Sequence, residues 1–252
     1  MVQQLTPNTA PDIIYPDSDG KPMSDNTKQF RWIVTIKENL EILFASQDDV
    51  FVAGDLLWYP VQGDNKIRQA PDVMVVFGRP KGDRGSYKQW EENNIPPQVV
   101  FEILSPGNRT GKMANKLLFY QRHGVLEYYI YDPDAVELTG LVRSQDWLEE
   151  ISDINGWVSP RLGVRFELTA DTLEIYRPDG GRFLTPLELD QIREQERQRA
   201  ETERQRAETE RQRAETERQS KEAALLQLEQ ERQRYQDLLA RLQQRGIDPE
   251  QL

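Results

Sequence analysis

Two acidic residues stand where an uncompensated charge is costly. Glu102 interrupts the apolar run Val99, Val100, Phe101, Ile103 and Leu104, and Asp72, after Pro71, opens the apolar run VMVVF. A carboxylate buried without a partner costs several kcal/mol, so such groups are paired, metal-bound or chemically employed. Side chains alternate along a strand, so Glu102 shares one face with Val100 and Leu104 while Phe101 and Ile103 take the other. If the two runs are neighbouring strands, as consecutive elements usually are, both carboxylates converge on one point. They then repel unless a proton or a cation lies between them. A hard divalent cation meets that need: Mg²⁺ takes one or two protein carboxylates and leaves its other positions to water and phosphate. Such an ion acidifies bound water and neutralises charge on a phosphoryl group, which suits phosphodiester hydrolysis. Spacing alone does not select that chemistry, because an acid at a strand start and another within a strand recur in unrelated proteins.

Other chemistries find less support. The chain of 252 residues has no cysteine and one histidine, so thiolate nucleophiles, disulfides, Ser-His or Cys-His triads and His-rich zinc sites are not indicated. His123 precedes Gly124 at an expected helix C-terminus, where a basic side chain meets the helix dipole. No phosphate-binding glycine loop or dinucleotide fingerprint occurs. Glu41 falls in the apolar arc of the first expected helix, and a carboxylate that snorkels to solvent explains it. Asp55, in VAGDLLWYP, is either a further ligand or a strand residue bonding a neighbour. Ser105 and Asn108 fit ordinary turn chemistry. The net charge of −11 argues against broad non-specific binding of nucleic acid, though not against a local basic cleft. The first residues have no basic-then-apolar leader pattern and no segment is apolar enough to span a membrane, which predicts a soluble, cytoplasmic protein with no membrane partner.

The elements that must position these residues follow from periodicity. Composition divides the chain into an irregular leader over residues 1–23, a body over 24–186 holding nearly all the Trp, Tyr, Phe and Val, and a charged tail over 187–252. Ser24 or Asp25 reads as an N-cap, and Phe30, Ile33, Val34, Leu40, Leu43 and Phe44 predict a helix from Thr27 to about Ser46. DVFVAGDLLWYP and APDVMVVF read as strands, and Gly78 to Asn94 as a surface loop. After the Glu102 strand, Ser105-Pro106-Gly107 is a break before a helix from about Thr110 to His123, closed by Gly124. EYYIYDP, ELTGLVR, VRFEL and LEIYRPDGGRFL supply further strands. This order predicts an α/β or α+β body with a mixed sheet.

In the tail, ERQRAET repeats from Glu196, Glu203 and Glu210. Each copy offers only alanine to a seam that wants two apolar positions per heptad, so the repeat predicts a stiff solvated helix. Pairs such as Arg197 with Glu201, Arg199 with Glu203 and Arg204 with Glu208 would support it. Further on, Leu225, Leu228, Tyr235, Leu239 and Leu242 fill five of six seam positions, with Arg232 the exception. That end can pair with another helix and so form a homodimer. Continuous from Leu187 to Arg245, the tail would extend on the order of 90 Å.

The run APDVMVVF, a variable loop, PQVVFEILSPGNR and then GKMANKLLFYQRHGVLEYYIYDPD resembles the Uma family of restriction endonucleases, within the PD-(D/E)XK nuclease superfamily. The likeness covers roughly residues 24–185, and the repetitive tail is similar to that of cyanobacterial members. The resemblance implies a restriction-endonuclease-like fold, a mixed central sheet flanked by helices, followed here by the long C-terminal helix. It implies a metal-dependent endonuclease that hydrolyses DNA, with Asp72 as the acid of the PD element and Glu102 as the second acid. Asp72, Glu102 and the backbone carbonyl of Ile103 would hold Mg²⁺ or Mn²⁺. The superfamily's usual lysine, two residues after the second acid, is replaced by Leu104. Related sequences carry a lysine in the following helix, which points to Lys116 as the catalytic cation, with Lys112 its rival and Arg109 a further candidate. Leu104 also keeps open a catalytically inactive nuclease fold that serves as a binding module. A scaffold acting through the tail is another reading, and a carboxylate-pair glycosidase a distant one.

Overall fold

In the computed structural model, residues 13–18, 20, 24, 26–106 and 111–244 are described. The first helix, α1 (Thr27–Leu43), begins after Asn26, whose extended backbone and side-chain oxygen, accepting the Gln29 N–H at 2.8 Å, make it the N-cap. The cap is therefore neither Ser24 nor Asp25, and Asp25 lies outside the described residues. The helix also stops earlier than Ser46. The Ala45 N–H turns back to the Ile42 carbonyl, and Lys81 Nζ caps the Phe44 and Ala45 carbonyls at 2.8 and 2.7 Å.

The expected strand after α1 breaks in two. Its first part, β1 (Val50–Gly54), ends at Asp55, whose φ of 47° is a left-handed conformation that a strand cannot continue through. The second part, β2 (Trp58–Tyr59), leaves the main sheet. It pairs in parallel with β4 (Tyr87–Lys88), so the predicted surface loop at Gly78–Asn94 contains a strand and a fully buried Tyr87. Between them runs β3 (Val73–Phe77), and then β5 (Val99–Ile103). Helix α2 (Gly111–Arg122) follows and closes at Gly124, whose φ of 89° favours glycine. Strands β6 (Glu127–Asp132), β7 (Glu137–Ser144) and β8 (Trp147–Glu150) complete a six-stranded sheet ordered β1-β3-β5-β6-β7-β8. The β5–β6 pair is parallel and its other pairs antiparallel, so the sheet is mixed, as expected.

Alternation along the strands divides the core in two. Val73, Val75, Val99, Phe101 and Ile103 face α1 and the hairpin of β9 (Arg165–Leu168) and β10 (Leu173–Tyr176). Met74, Val76, Val100 and Tyr128 face the other way, where Tyr120 of α2 packs with Trp58 and Tyr87. Helices thus cover both faces. Glu102 and Asp72 have the parity of the α2 face.

The chain divides into two compact units, Met1–Glu188 and Leu189–Leu252. Helix α3 (Pro186–Gln244) starts at a capping box: the Glu188 carboxylate accepts the Thr185 N–H at 2.8 Å while Thr185 Oγ1 accepts the Glu188 N–H at 3.3 Å, with Pro186 in the first turn. From Asp190 through Leu238 every residue is exposed. The ion pairs on this stretch differ from those anticipated. Arg197 reaches back to Glu194 instead of forward to Glu201, and the others are Arg218–Glu222 and Lys221–Glu217. Among the described residues, no helix is long and apolar enough to cross a membrane.

Candidate active site

Strand register brings the two acids together. β3 and β5 run antiparallel with Val73 opposite Phe101, so one step further Asp72 stands opposite Glu102. Both are buried, at 6% and 0% exposure. Asp72 Oδ2 accepts the Ile103 N–H at 2.6 Å, which ties the PD element to the end of β5. Gln29, one turn into α1 and itself buried, donates its amide to the Ile103 carbonyl at 3.0 Å and also hydrogen-bonds Asp72. On the other side, α2 supplies two groups to the fully buried Glu102. Lys116 Nζ lies 2.6 Å from Oε2, and the Tyr120 hydroxyl donates to Oε1 at 2.5 Å. They are four residues apart, hence on one face of the helix.

Among the described residues, two buried carboxyl groups meet one ammonium. Burial, and then the neighbouring Glu102 charge, push Asp72 up to about 8, and Lys116 with the bonds from Ile103 and Gln29 offset this only in part. Burial works against the Lys116 ammonium, yet the charges of Glu102 and Asp72 outweigh it and hold the lysine above its ordinary value. Burial, then Glu102, raises Tyr120 well above the usual phenol range, so it serves as a neutral donor. Glu127 shows what a buried structural carboxylate looks like in this protein. It accepts bonds from the Tyr129 hydroxyl at 2.9 Å, Ser159 Oγ at 2.5 Å and the Arg161 N–H at 2.7 Å, with no second acid opposite it.

A divalent cation fits the Asp72–Glu102 pair. The donors are hard oxygens, each carboxylate oxygen can accept more than one partner, and among the described residues the two acids share a single ammonium, that of Lys116. Asp72, Glu102 and the Ile103 carbonyl remain the groups that could hold it, and the carbonyl keeps a lone pair beyond the one Gln29 uses. Among the described residues no group of three or more His, Cys, Asp or Glu is placed to bind a metal. Water and substrate would therefore complete the coordination, the usual habit of Mg²⁺.

The remaining candidates are separated from this centre or absorbed elsewhere. The Leu104 N–H joins the Tyr131 carbonyl, and no cation stands there. Arg109, Asn108 and the Lys112 side chain lie outside the described residues. Glu41 points to solvent and pairs with Lys37 at 2.9 Å, as the snorkelling reading anticipates. Asp55 stands beside Asp72 in register, its N–H on the Asp72 carbonyl at 3.2 Å, and its charge contributes to holding Lys116 up. His123 stands at the end of α2 before Gly124, as expected, and its ring packs against Phe119 and Trp58, where burial, then Arg122, lowers its pKa. Sequence reasoning missed two residues. Tyr120 is one, although its spacing of four from Lys116 marks a shared helix face. Gln29 carried no signal, because nothing local says that the start of α1 meets the end of β5.

Residues 20–203 match the family model Uma2, described as "Putative restriction endonuclease", which makes this a protein of nuclease type. The chain belongs to the Uma2 family. Among solved structures it is similar to "a putative nuclease belonging to DUF820 from Anabaena variabilis", with 20% identity, coverage of 56% of this chain and 74% of that one, and a TM-score of 0.41. Comparison with curated proteins gave no match.

Proposed function

We propose that this protein is a metal-dependent endonuclease of the cytoplasm that hydrolyses DNA phosphodiester bonds at Asp72, Glu102 and Lys116. The observation that carries the reading is the convergence of Lys116 on Glu102 opposite Asp72, which supplies from α2 the cation that Leu104 cannot offer. Asp72, Glu102 and the Ile103 carbonyl would hold Mg²⁺ or Mn²⁺, which would neutralise phosphoryl charge and acidify water. The chain's own groups do the positioning. Glu102 fixes the Lys116 ammonium, which orients the attacking water and stabilises developing charge on the phosphoryl oxygens. Tyr120 holds the other oxygen of Glu102, so the carboxylate cannot rotate. Gln29 and the Ile103 N–H fix the end of β5 against Asp72.

The test combines plasmid nicking with calorimetric titration of Mn²⁺ on the same samples. Wild type is expected to nick only with divalent metal, Asp72→Asn and Glu102→Gln to lose both metal binding and nicking, and Lys116→Ala to bind metal without nicking. Metal-independent nicking, or full activity in Glu102→Gln, overturns the assignment. Metal binding in a wild type that cuts neither DNA nor RNA favours the inactive binding module.

A further inference from the structure

The end of α3 presents an apolar stripe that the described residues leave exposed. Leu225, Leu228 and Tyr235 are 65%, 62% and 62% exposed. With Leu239, and with Leu242 at the next seam position of the sequence, they recur at alternating spacings of three and four residues, interrupted only by Arg232. We propose that residues 225–242 pair antiparallel with the same segment of a second copy of this chain.

The arrangement of the stripe selects both the partner and the direction. In an interface with two-fold symmetry, a residue contacts on the partner what the partner's copy contacts on it, so the surface must be complementary to itself. Antiparallel pairing centred between Arg232 and Tyr235 meets this at each layer. Leu228 faces Leu239 and Arg232 faces Tyr235, each contact being made twice. The layer that looks like a flaw becomes a guanidinium against a tyrosine ring, an attractive pairing. Arg232 makes no ion pair within its own chain among the described residues. Residues flanking an antiparallel seam meet their equivalents, which sets Glu229 near Gln236 and Glu231 near Leu238, so like charges do not meet.

Parallel pairing in register fails on the same residues. It sets each seam position against its own copy, so Arg232 meets Arg232. Followed upstream in sevens, the register runs through Arg218, Arg211, Arg204 and Arg197, with Lys221 between. Each of these would face an identical cation across the seam. In the antiparallel register the described helix, which runs to Gln244, overlaps its partner only as far back as Ala223.

The absence of cysteine makes the test direct, since Leu228→Cys and Leu239→Cys chains each carry a single thiol. Antiparallel pairing sets residue 228 beside 239 of the other copy but about 16 Å along the axis from its own equivalent, eleven residues at 1.5 Å each. Mixed chains treated with a short bis-maleimide are expected to give mainly the 228-to-239 product, and Leu228→Cys alone little product. Light scattering of wild type is expected to give twice 29.4 kDa, falling to one chain in Leu228→Asp/Leu239→Asp with the melting of the body unchanged. Dominant 228-to-228 linkage means parallel pairing and overturns the proposal. So does a wild-type mass of one chain, or a dimer that survives the double aspartate change.

Discussion

The difference between Glu127 and the Asp72–Glu102 pair is one of charge. Glu127 is satisfied by neutral donors, whereas Asp72 and Glu102 lie opposite one another and the Lys116 ammonium is bonded to Glu102. An acid whose pKa rises from 3.8 to about 8 on folding holds its proton in the native state and releases it on unfolding in between. The unfolded form then binds fewer protons, so stability falls as pH rises through that window and levels off above about 8. Thermal melting of the metal-free protein is therefore expected to drop between pH 4 and pH 8 by more in wild type than in Asp72→Asn, and Mn²⁺ is expected to restore wild type at pH 8. Equal slopes in the two proteins would show that Asp72 ionises normally. Tyr120→Phe removes one hydrogen bond to Glu102 and leaves the ring packing in place. Turnover is expected to fall several-fold with metal affinity little changed, less than the roughly 10²-fold loss anticipated for Lys116→Ala, the usual scale for a positioned catalytic group. An equal loss in both would make Tyr120 the more direct participant.

At the scale of elements, the site is a junction of three: the strand pair β3–β5 sets the acids opposite each other, α2 brings Lys116 and Tyr120 onto one face, and α1 braces the end of β5 through Gln29. The acids were legible because a charge inside VVFEIL, or at the mouth of VMVVF, breaks an otherwise local rule. Lys116 was reachable only through family resemblance, since a lysine in a helix does not announce what it meets across the fold. Gln29 was not legible, because its partner Ile103 is 74 residues away and a glutamine one turn after an N-cap looks like any surface residue. The split of β1 from β2 was missed for a related reason, as Asp55 adopts positive φ without a glycine to announce it. Gln29→Ala tests the brace. It leaves both metal-binding carboxylates in place but frees the Ile103 carbonyl, and Mn²⁺ affinity is expected to weaken while the fold persists. Unchanged affinity would confine Gln29 to packing.

At the scale of the whole molecule, the question is whether catalysis and the tail are separable. The capping box at Thr185–Glu188 lies within the first compact unit, with Arg182 bonded to Glu188 at 2.6 Å. The start of α3 is thus fixed by contacts of the body, and a chain stopped after Glu194 keeps every one of them. Each residue named at the site also precedes that point. Such a truncated protein is expected to melt cooperatively and to nick plasmid at the wild-type rate per site when metal is present, while its light-scattering mass becomes that of a single chain. Loss of nicking in a folded truncation would mean that two bodies must be joined for cleavage. That outcome is distinguished from misfolding by Mn²⁺ binding, which depends only on Asp72, Glu102 and the end of β5. If Leu228→Asp/Leu239→Asp, with its tail intact, then lost nicking as well, the requirement would be pairing itself, whereas full activity there would assign it to the charged segment between residues 195 and 224.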